Sequence, residues 1–227
     1  MTGRGRWAEA QLKYVFEDPS LLDLALTHRS ASKANNERLE YLGDSFLNFA
    51  IARRLFELRP DDTEGDLSRA RAALVKEETL AAIGLALGVD AHLTLGPGEL
   101  RTGGAQRGAI LADAVEALLA AVLLDGGAAA AEAVVARLFA EQFKSLPDAA
   151  TLKDPKTRLQ EWLQGRGLPL PAYVVTAVQG RDHEQMFTVD CEVREKNAQT
   201  TGHGPSRRRA EQEAAAAMLL VLTGEQH

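Results

Sequence analysis

The chain has 227 residues, enough for one large domain or two modest ones with a sizeable core. Composition is that of a soluble globular protein, and a single cysteine, Cys191, excludes an internal disulfide framework and fits a reducing compartment. A formal charge of −6 argues weakly against nucleic acid, but residues 153–227 carry ten basic and ten acidic side chains, so the whole acidic excess lies upstream.

Met1 to Ala10 are charged and hold no apolar core, so no signal peptide is expected there. No uncharged apolar run reaches the length of a membrane span, and no membrane partner is expected. Residues 7–30 carry short helical patterns broken at Asp18-Pro19-Ser20. A helix starts there with Leu21, Leu22, Leu24, Ala25 and Leu26 as its packing face. His28 has no partner ligand near it in sequence and is expected to be a structural hydrogen-bonding residue.

Asn35 and Asn36 open the next helix, which ends before Arg59-Pro60. Leu39, Leu42, Phe46 and Phe49 fall at i, i+3, i+7 and i+10 and are expected to face the core. Glu37, Glu40 and Asp44 occupy another face, within about 60° of one another at 3.6 residues per turn. An acidic solvated face is the ordinary reading of three such carboxylates. The like-charged i, i+4 pair Glu40 and Asp44 is mildly destabilising, however, and points instead to a bound cation. Asp61, Asp62 and Glu64 favour the N-terminus of a following helix, and Leu67 to Leu87 reads as one or two helices. Gly96-Pro97-Gly98 and Gly103-Gly104 predict a flexible loop.

From Ala109 to Leu124 every residue except Asp113 and Glu116 is apolar, which predicts a buried helix. Two carboxylates on such a helix need a compensating charge or a proton, and no Lys or Arg lies in the run. Shared with Glu40 and Asp44, they read as an oxygen-only site for Mg²⁺ or Mn²⁺ serving phosphoester chemistry. Glu116 is the foremost ligand, and Asp44 and Glu116 are the candidate catalytic pair. Residues 128–143 predict an Ala-rich helix with Val134, Val135, Leu138 and Phe139 inward. With no strand-like alternation before about residue 170, the front domain is expected to be all-α.

Ser145 to Thr151 is the best boundary. Beyond it the pattern changes. A helix starts at Asp154-Pro155, strands follow at 172–178 and 186–193 with a third at Asn197 to Thr201, and a last helix spans Ser206 to Leu222. Arg207, Arg208 and Arg209 in the first turn of that helix oppose its dipole unless the N-terminus faces an anion such as phosphate.

Asn36 to Asn48 resembles the signature of the ribonuclease III family. Leu26-Thr27-His28-Arg29-Ser30, Glu64-Gly65-Asp66-Leu67-Ser68 and Ile110 to Ala117 match that family in order and spacing. The α-β-β-β-α order and Gly202-x-Gly204-x-Ser206-Arg207-Arg208, with Ala210 and Ala214-Ala215, resemble a double-stranded RNA-binding domain. The resemblance implies the bacterial form: an all-α endonuclease domain over residues 1–147, a linker over 148–153, and a small α+β RNA-binding domain over 154–224. It implies a cytoplasmic, metal-dependent enzyme that cuts double-stranded RNA to 5′-phosphate and 3′-hydroxyl ends with a short 3′ overhang, in processing of rRNA and other precursors.

Within that resemblance Glu37 and Glu64 become supporting acids, and a second metal ion arrives with substrate. Ser206, Arg207 and Arg208 meet the major groove. Thr157, Gln160, Glu161 and His183 meet the minor groove and its 2′-hydroxyls. Tyr41, off the core stripe, marks a contact of a homodimer, the commonest assembly. Two other readings compete. A non-catalytic duplex-binding protein would be expected to lack some of the carboxylates, and all are present. An enzyme acting on a small phosphoester would have no use for a duplex-grasping second domain.

Overall fold

The computed structural model describes residues 2–146, 153–181 and 184–224. The chain forms two compact units, Met1–Ala149 and Ala150–His227. The expected linker lies outside the described residues apart from Lys153, and so does His183.

The first unit is helical: α1 (Gly3–Leu12), α2 (Pro19–Ala25), α3 (Glu37–Leu58), α4 (Glu64–Leu74), α5 (Glu77–Leu87), α6 (Pro97–Arg101), α7 (Gly108–Leu138) and α8 (Ala140–Lys144). Among its described residues the extended pairing is a lone bridge between Thr27 and Thr94. Local chemistry sets the helix starts. Asp18 accepts from the Ser20 N–H at 2.9 Å with Pro19 in the first helical position, and Thr63 accepts from the Asp66 N–H at the start of α4.

The core lies between α3 and α7, with α5 and α2 packed against α7. Leu111, Val115, Leu118, Leu119 and Val122 of α7 are buried there, with Leu47, Ile51 and Leu55 of α3. By length and composition α7 could cross a membrane, but its apolar residues from Ile110 to Val122 are packed inside this unit. Gly127, at φ 78° and ψ 178°, kinks α7, and Val134, Val135 and Phe139 beyond the kink are buried as expected. Just before it, the Asp125 carboxylate accepts from the Tyr14 hydroxyl and the Glu17 and Asp18 N–H groups, tying the α1–α2 connection to α7.

Two expectations are corrected. Phe49 is 58 % exposed, because the buried stripe of α3 runs through Leu39, Gly43, Phe46, Leu47, Ala50, Ile51 and Leu55 instead. The glycine-rich stretch 96–104 is also more ordered than expected. Pro97 starts α6, and Gly104–Gln106 forms a 3₁₀ turn.

The second unit has the predicted order: α9 (Pro155–Gln164), β1 (Ala172–Gln179), β2 (Met186–Val193), β3 (Ala198–Gly204) and α10 (Arg207–Thr223). The sheet is antiparallel in the order β1-β2-β3, with a bulge in β1 between Val175 and Ala177. Alternate residues of β2, Val189, Cys191 and Val193, are buried on one face. Cys191 and Val193 pack with Leu159 and Leu163 of α9 and Ala214, Ala215 and Met218 of α10. At Gly202 an added Cβ would meet the Ala210 carbonyl oxygen and the Ala214 nitrogen, each at 2.3 Å. Glycine there lets β3 lie directly on the helix backbone.

Gly43 does the same for the first unit. A Cβ there would stand 1.9 Å from the Glu116 carbonyl oxygen, so α3 and α7 touch backbone to backbone. In a solvated helix Gly→Ala stabilises by about 0.5–1 kcal/mol. Here overpacking reverses the sign. Gly43→Ala is expected to destabilise the unit by about 1–3 kcal/mol, read as a lowered midpoint in chemical denaturation.

Candidate metal centre and nucleic-acid interface

The α3–α7 contact assembles a carboxylate cluster. Glu40 lies three residues before Gly43 on α3, and Asp113 lies three before Glu116 on α7, so each helix carries an acid one turn from the contact. One oxygen each from Glu40, Asp113 and Glu116 lies within 4.8 Å of the others, and all three residues are half-buried. Among the described residues, no Lys or Arg forms an ion pair with them.

Burial raises all three pKa values, and repulsion within the cluster adds to it at Glu116 and Glu40. Burial pushes Glu116 up to about 8, helped by the charges of Asp44, Asp113 and Glu40. Burial also raises Glu40, with repulsion from Asp113 and Glu37 outweighing attraction to Arg29. Asp113 is raised by burial despite His28 and Arg29 nearby. Three carboxyl oxygens held this close without a protein cation suit a hard divalent ion.

The other predicted acids stand apart from this group. Asp44 is exposed, and its carboxylate accepts from the Asn48 amide at 2.8 Å, although its charge still acts on Glu116. Glu37 is exposed and pairs with Arg29 at 3.4 Å. Glu64, in the first turn of α4, accepts from the Ser68 hydroxyl at 2.7 Å and lines a separate depression with Phe56 and Arg71. His28 is buried with its Nδ1 2.8 Å from the Ser30 hydroxyl, the structural role expected of it.

Sequence reasoning missed the polar cavity of about 530 Å³ beside the cluster, where Glu40 and Asp113 meet His28, Arg29, Asn36 and Arg107. Those residues come from segments distant in sequence, and only the motif order hinted at them.

In the second unit, Thr157, Gln160 and Glu161 are exposed and share one face of α9 by their i, i+3, i+4 spacing. Glu161 is held by Lys153 at 2.8 Å. The Ser206 hydroxyl accepts from the Arg209 N–H at 3.3 Å and caps α10. Arg208 and Arg209 are exposed. Arg207 donates to Glu211 at 2.8 Å, and Lys156 of α9 donates to the same carboxylate. Burial opposes ionisation of Glu211, but the two hydrogen bonds outweigh it and hold its pKa below the ordinary value. Nothing in the sequence marked Lys156 and Glu211, whose pairing depends on how α9 and α10 pack.

Residues 18–143 match the family model described as Ribonuclease-III-like, and residues 155–222 match the double-stranded RNA binding motif. The chain is 50 % identical to Ribonuclease 3 of Vibrio vulnificus over 94 % of its own length and 95 % of the relative's. It is 53 % identical to Ribonuclease 3 of Alkalilimnicola ehrlichii over 93 % of both. The nuclease domain of ribonuclease III from Campylobacter jejuni superposes with a TM-score of 0.61 at 38 % identity, covering 64 % of this chain and all 100 % of that domain. A second structure of that domain, described for flexibility in a region involved in dimer formation, gives 0.59 at 40 % identity, covering 61 % of this chain and 97 % of that one. A helical unit built around a half-buried acidic cluster, an α-β-β-β-α unit with a basic helix entry, and both family matches agree: the chain belongs to the ribonuclease III family.

Proposed function

We infer that Glu40, Asp113 and Glu116 form the metal centre with which this chain, a double-stranded RNA endoribonuclease, cuts its substrate. The observation that carries this is the cluster itself: three half-buried carboxylates that form no ion pair with a Lys or Arg among the described residues. Mg²⁺ fits best, with Mn²⁺ as a substitute, because the donors are all oxygen and few in number. A divalent ion held there supplies Lewis-acid charge that activates water and polarises the phosphodiester. Asp44, next to Glu116, joins the set by releasing the Asn48 amide. Glu37 and Glu64 act as outer acids.

The second unit supplies duplex recognition. Thr157, Gln160 and Glu161 offer an exposed polar face for the minor groove. Ser206, Arg207 and Arg208 present a helix N-terminus and cations to phosphates. His183 belongs to the same reading through its place in the strand connection. The products are 5′-phosphate and 3′-hydroxyl ends with short 3′ overhangs, and the setting is processing of rRNA and other precursors in the cytoplasm.

A homodimer completes the reading, because one centre cuts one strand. Tyr41, Phe49 and Phe56 are 77 %, 58 % and 71 % exposed. They lie within about 80° of one another on α3 at 3.6 residues per turn. Such an aromatic stripe on an α-helix fits an isologous contact.

Three outcomes test these assignments. Glu116→Gln is expected to lower Mg²⁺-dependent cleavage of a plain RNA duplex by more than about a hundredfold, since even residues supporting metal ligands are worth ten- to a hundredfold. Duplex binding in Ca²⁺ should be unchanged. Binding without cleavage by the unsubstituted chain, in Mg²⁺ and Mn²⁺ alike, would move the assignment to a non-catalytic duplex-binding protein.

Stability should also follow pH. The native Glu116 carboxyl keeps its proton up to about 8, whereas the unfolded one releases it near 4.5. The metal-free nuclease unit therefore loses stability as pH rises through that window. At pH 8 without metal, Glu116→Gln should raise its melting temperature by roughly 2–4 °C, the effect of about 1 kcal/mol in a chain of this size. Mg²⁺ should stabilise only the unsubstituted protein to a comparable extent.

For the dimer, Tyr41→Ala with Phe49→Ala should weaken self-association by more than about tenfold in sedimentation velocity. An unchanged sedimentation profile would place the contact elsewhere.

A further inference from the structure

The cavity beside the metal centre holds a buried donor with nothing to bond. Asn36 occupies the N-cap position of α3 but, at φ −81° and ψ −8°, makes no side-chain cap. The Asn35 side chain accepts from the Glu37 N–H at 3.0 Å instead. Asn36 is only 2 % exposed, it lines the cavity, and its Nδ2 has no partner. A buried donor left unpaired is costly. An asparagine cap uses its side-chain oxygen as acceptor, so the unpaired Nδ2 is a donor that capping would not have used.

A second set of donors borders the same space. Helix α7 begins there with Arg107 as its N-cap, no side-chain cap and no acid in its first turn. Ala109 and Ile110 line the cavity. The first N–H groups of a long helix carry partial positive charge and lack partners within the helix. Glu77 approaches Gly108, yet no hydrogen bond joins it to these N–H groups. Arg29 and Arg107 stand at the rim, each paired with an acid, Glu37 at 3.4 Å and Glu99 at 3.0 Å. Gly108 precedes Asp113 by five residues, about 7.5 Å along the helix axis, a distance on the order of one nucleotide step.

We propose that the Asn36 amide and the N-terminus of α7 form a subsite for a backbone phosphate of the cut strand, next to the phosphate at the metal centre. This rests on the nuclease reading above. From these two elements the cavity receives the Asn36 amide and the first N–H groups of α7, which suit phosphate oxygens, beside the carboxylates Glu37, Glu40 and Asp113, whose charge a bound divalent ion offsets. The choice of residue follows from its neighbours. A lysine or arginine at position 36 would pair with Glu40 or Asp113 and compete with the metal. A neutral amide supplies a donor without that competition.

The test uses the full chain and a duplex carrying one neutral methylphosphonate at each phosphate flanking the cleavage site in turn. Affinity is measured in Ca²⁺ and single-turnover cleavage in Mg²⁺. Asn36→Asp, isosteric but without the donor, should weaken binding of the unmodified duplex by about tenfold, the worth of one hydrogen bond to a charged group. At one flanking position the methylphosphonate should weaken the unsubstituted protein but have little further effect on Asn36→Asp, a coupling that a purely structural role does not produce. Asn36→Ala, which removes the orphan donor without adding charge, should show the same coupling with its melting temperature kept. Additive effects at every position, with cleavage intact in the unsubstituted chain, would overturn the subsite alone. Absence of cleavage by the unsubstituted chain would overturn the nuclease reading beneath it.

Discussion

The backbone contact between Gly43 and Glu116 is the constraint on which the first unit depends. Helices with ordinary side chains at their crossing stand 8–10 Å apart. With no Cβ at Gly43, α3 closes until its own backbone meets the Glu116 carbonyl. That closeness brings carboxylates of different helices within 4.8 Å of one another. The contact is thus both the centre of the core and the reason the carboxylate cluster exists. A residue with a side chain there would separate the ligands before it disturbed any of them chemically.

Closeness has an electrostatic consequence. Burial raises the pKa of all three carboxyls, and their closeness adds repulsion at Glu116 and Glu40. An ordinary protein would relieve this with a lysine or arginine one turn away. On α3 the residue one turn beyond Glu40 is another acid, Asp44, whose carboxylate is occupied by the neutral Asn48 amide. Nearby arginines are engaged with outer acids, Arg29 with Glu37 and Arg107 with Glu99. Arg29 attracts Glu40 and Asp113 without forming an ion pair with either, and burial still holds both pKa values above the ordinary range, a setting that suits a cation from solution.

How far the sequence revealed this depended on whether a signal was local. Asp113 and Glu116 stood out because α7 is apolar on nearly every side, so any charge on it needs an explanation. The strands and the capping Ser206 of the second unit followed from alternation and turn chemistry. Phe49 misled because helical spacing gives two adjacent apolar stripes on α3. The choice between them is made by the partner helix, and Gly43 sits on the stripe that α7 covers. Gly96 to Gly104 misled for a related reason. Gly96 and Gly104 serve close packing, since a Cβ would meet the Ser30 carbonyl oxygen at 2.2 Å and a Glu99 carboxylate oxygen at 2.6 Å, and do not signal a loose loop. Asn36 was readable as a helix start but not as a side chain withheld from that helix. That distinction exists only in the folded backbone.

The uneven charge of the chain fits this arrangement. An acidic nuclease unit repels a polyanion, so its carboxylates favour RNA only once metal has reversed their local field. The second unit, electrically balanced in sum, is not balanced in placement. The buried Glu211 pairs with Lys156 and with the exposed Arg207, whereas Arg208 and Arg209 form no ion pair among the described residues and stand exposed at the entry to α10. Phosphate attraction is therefore concentrated where the helix dipole adds to it, and that part of binding weakens with salt. Affinity from one unit and charge-reversed chemistry from the other let the nuclease surface stay acidic enough to hold its metal without forfeiting its substrate.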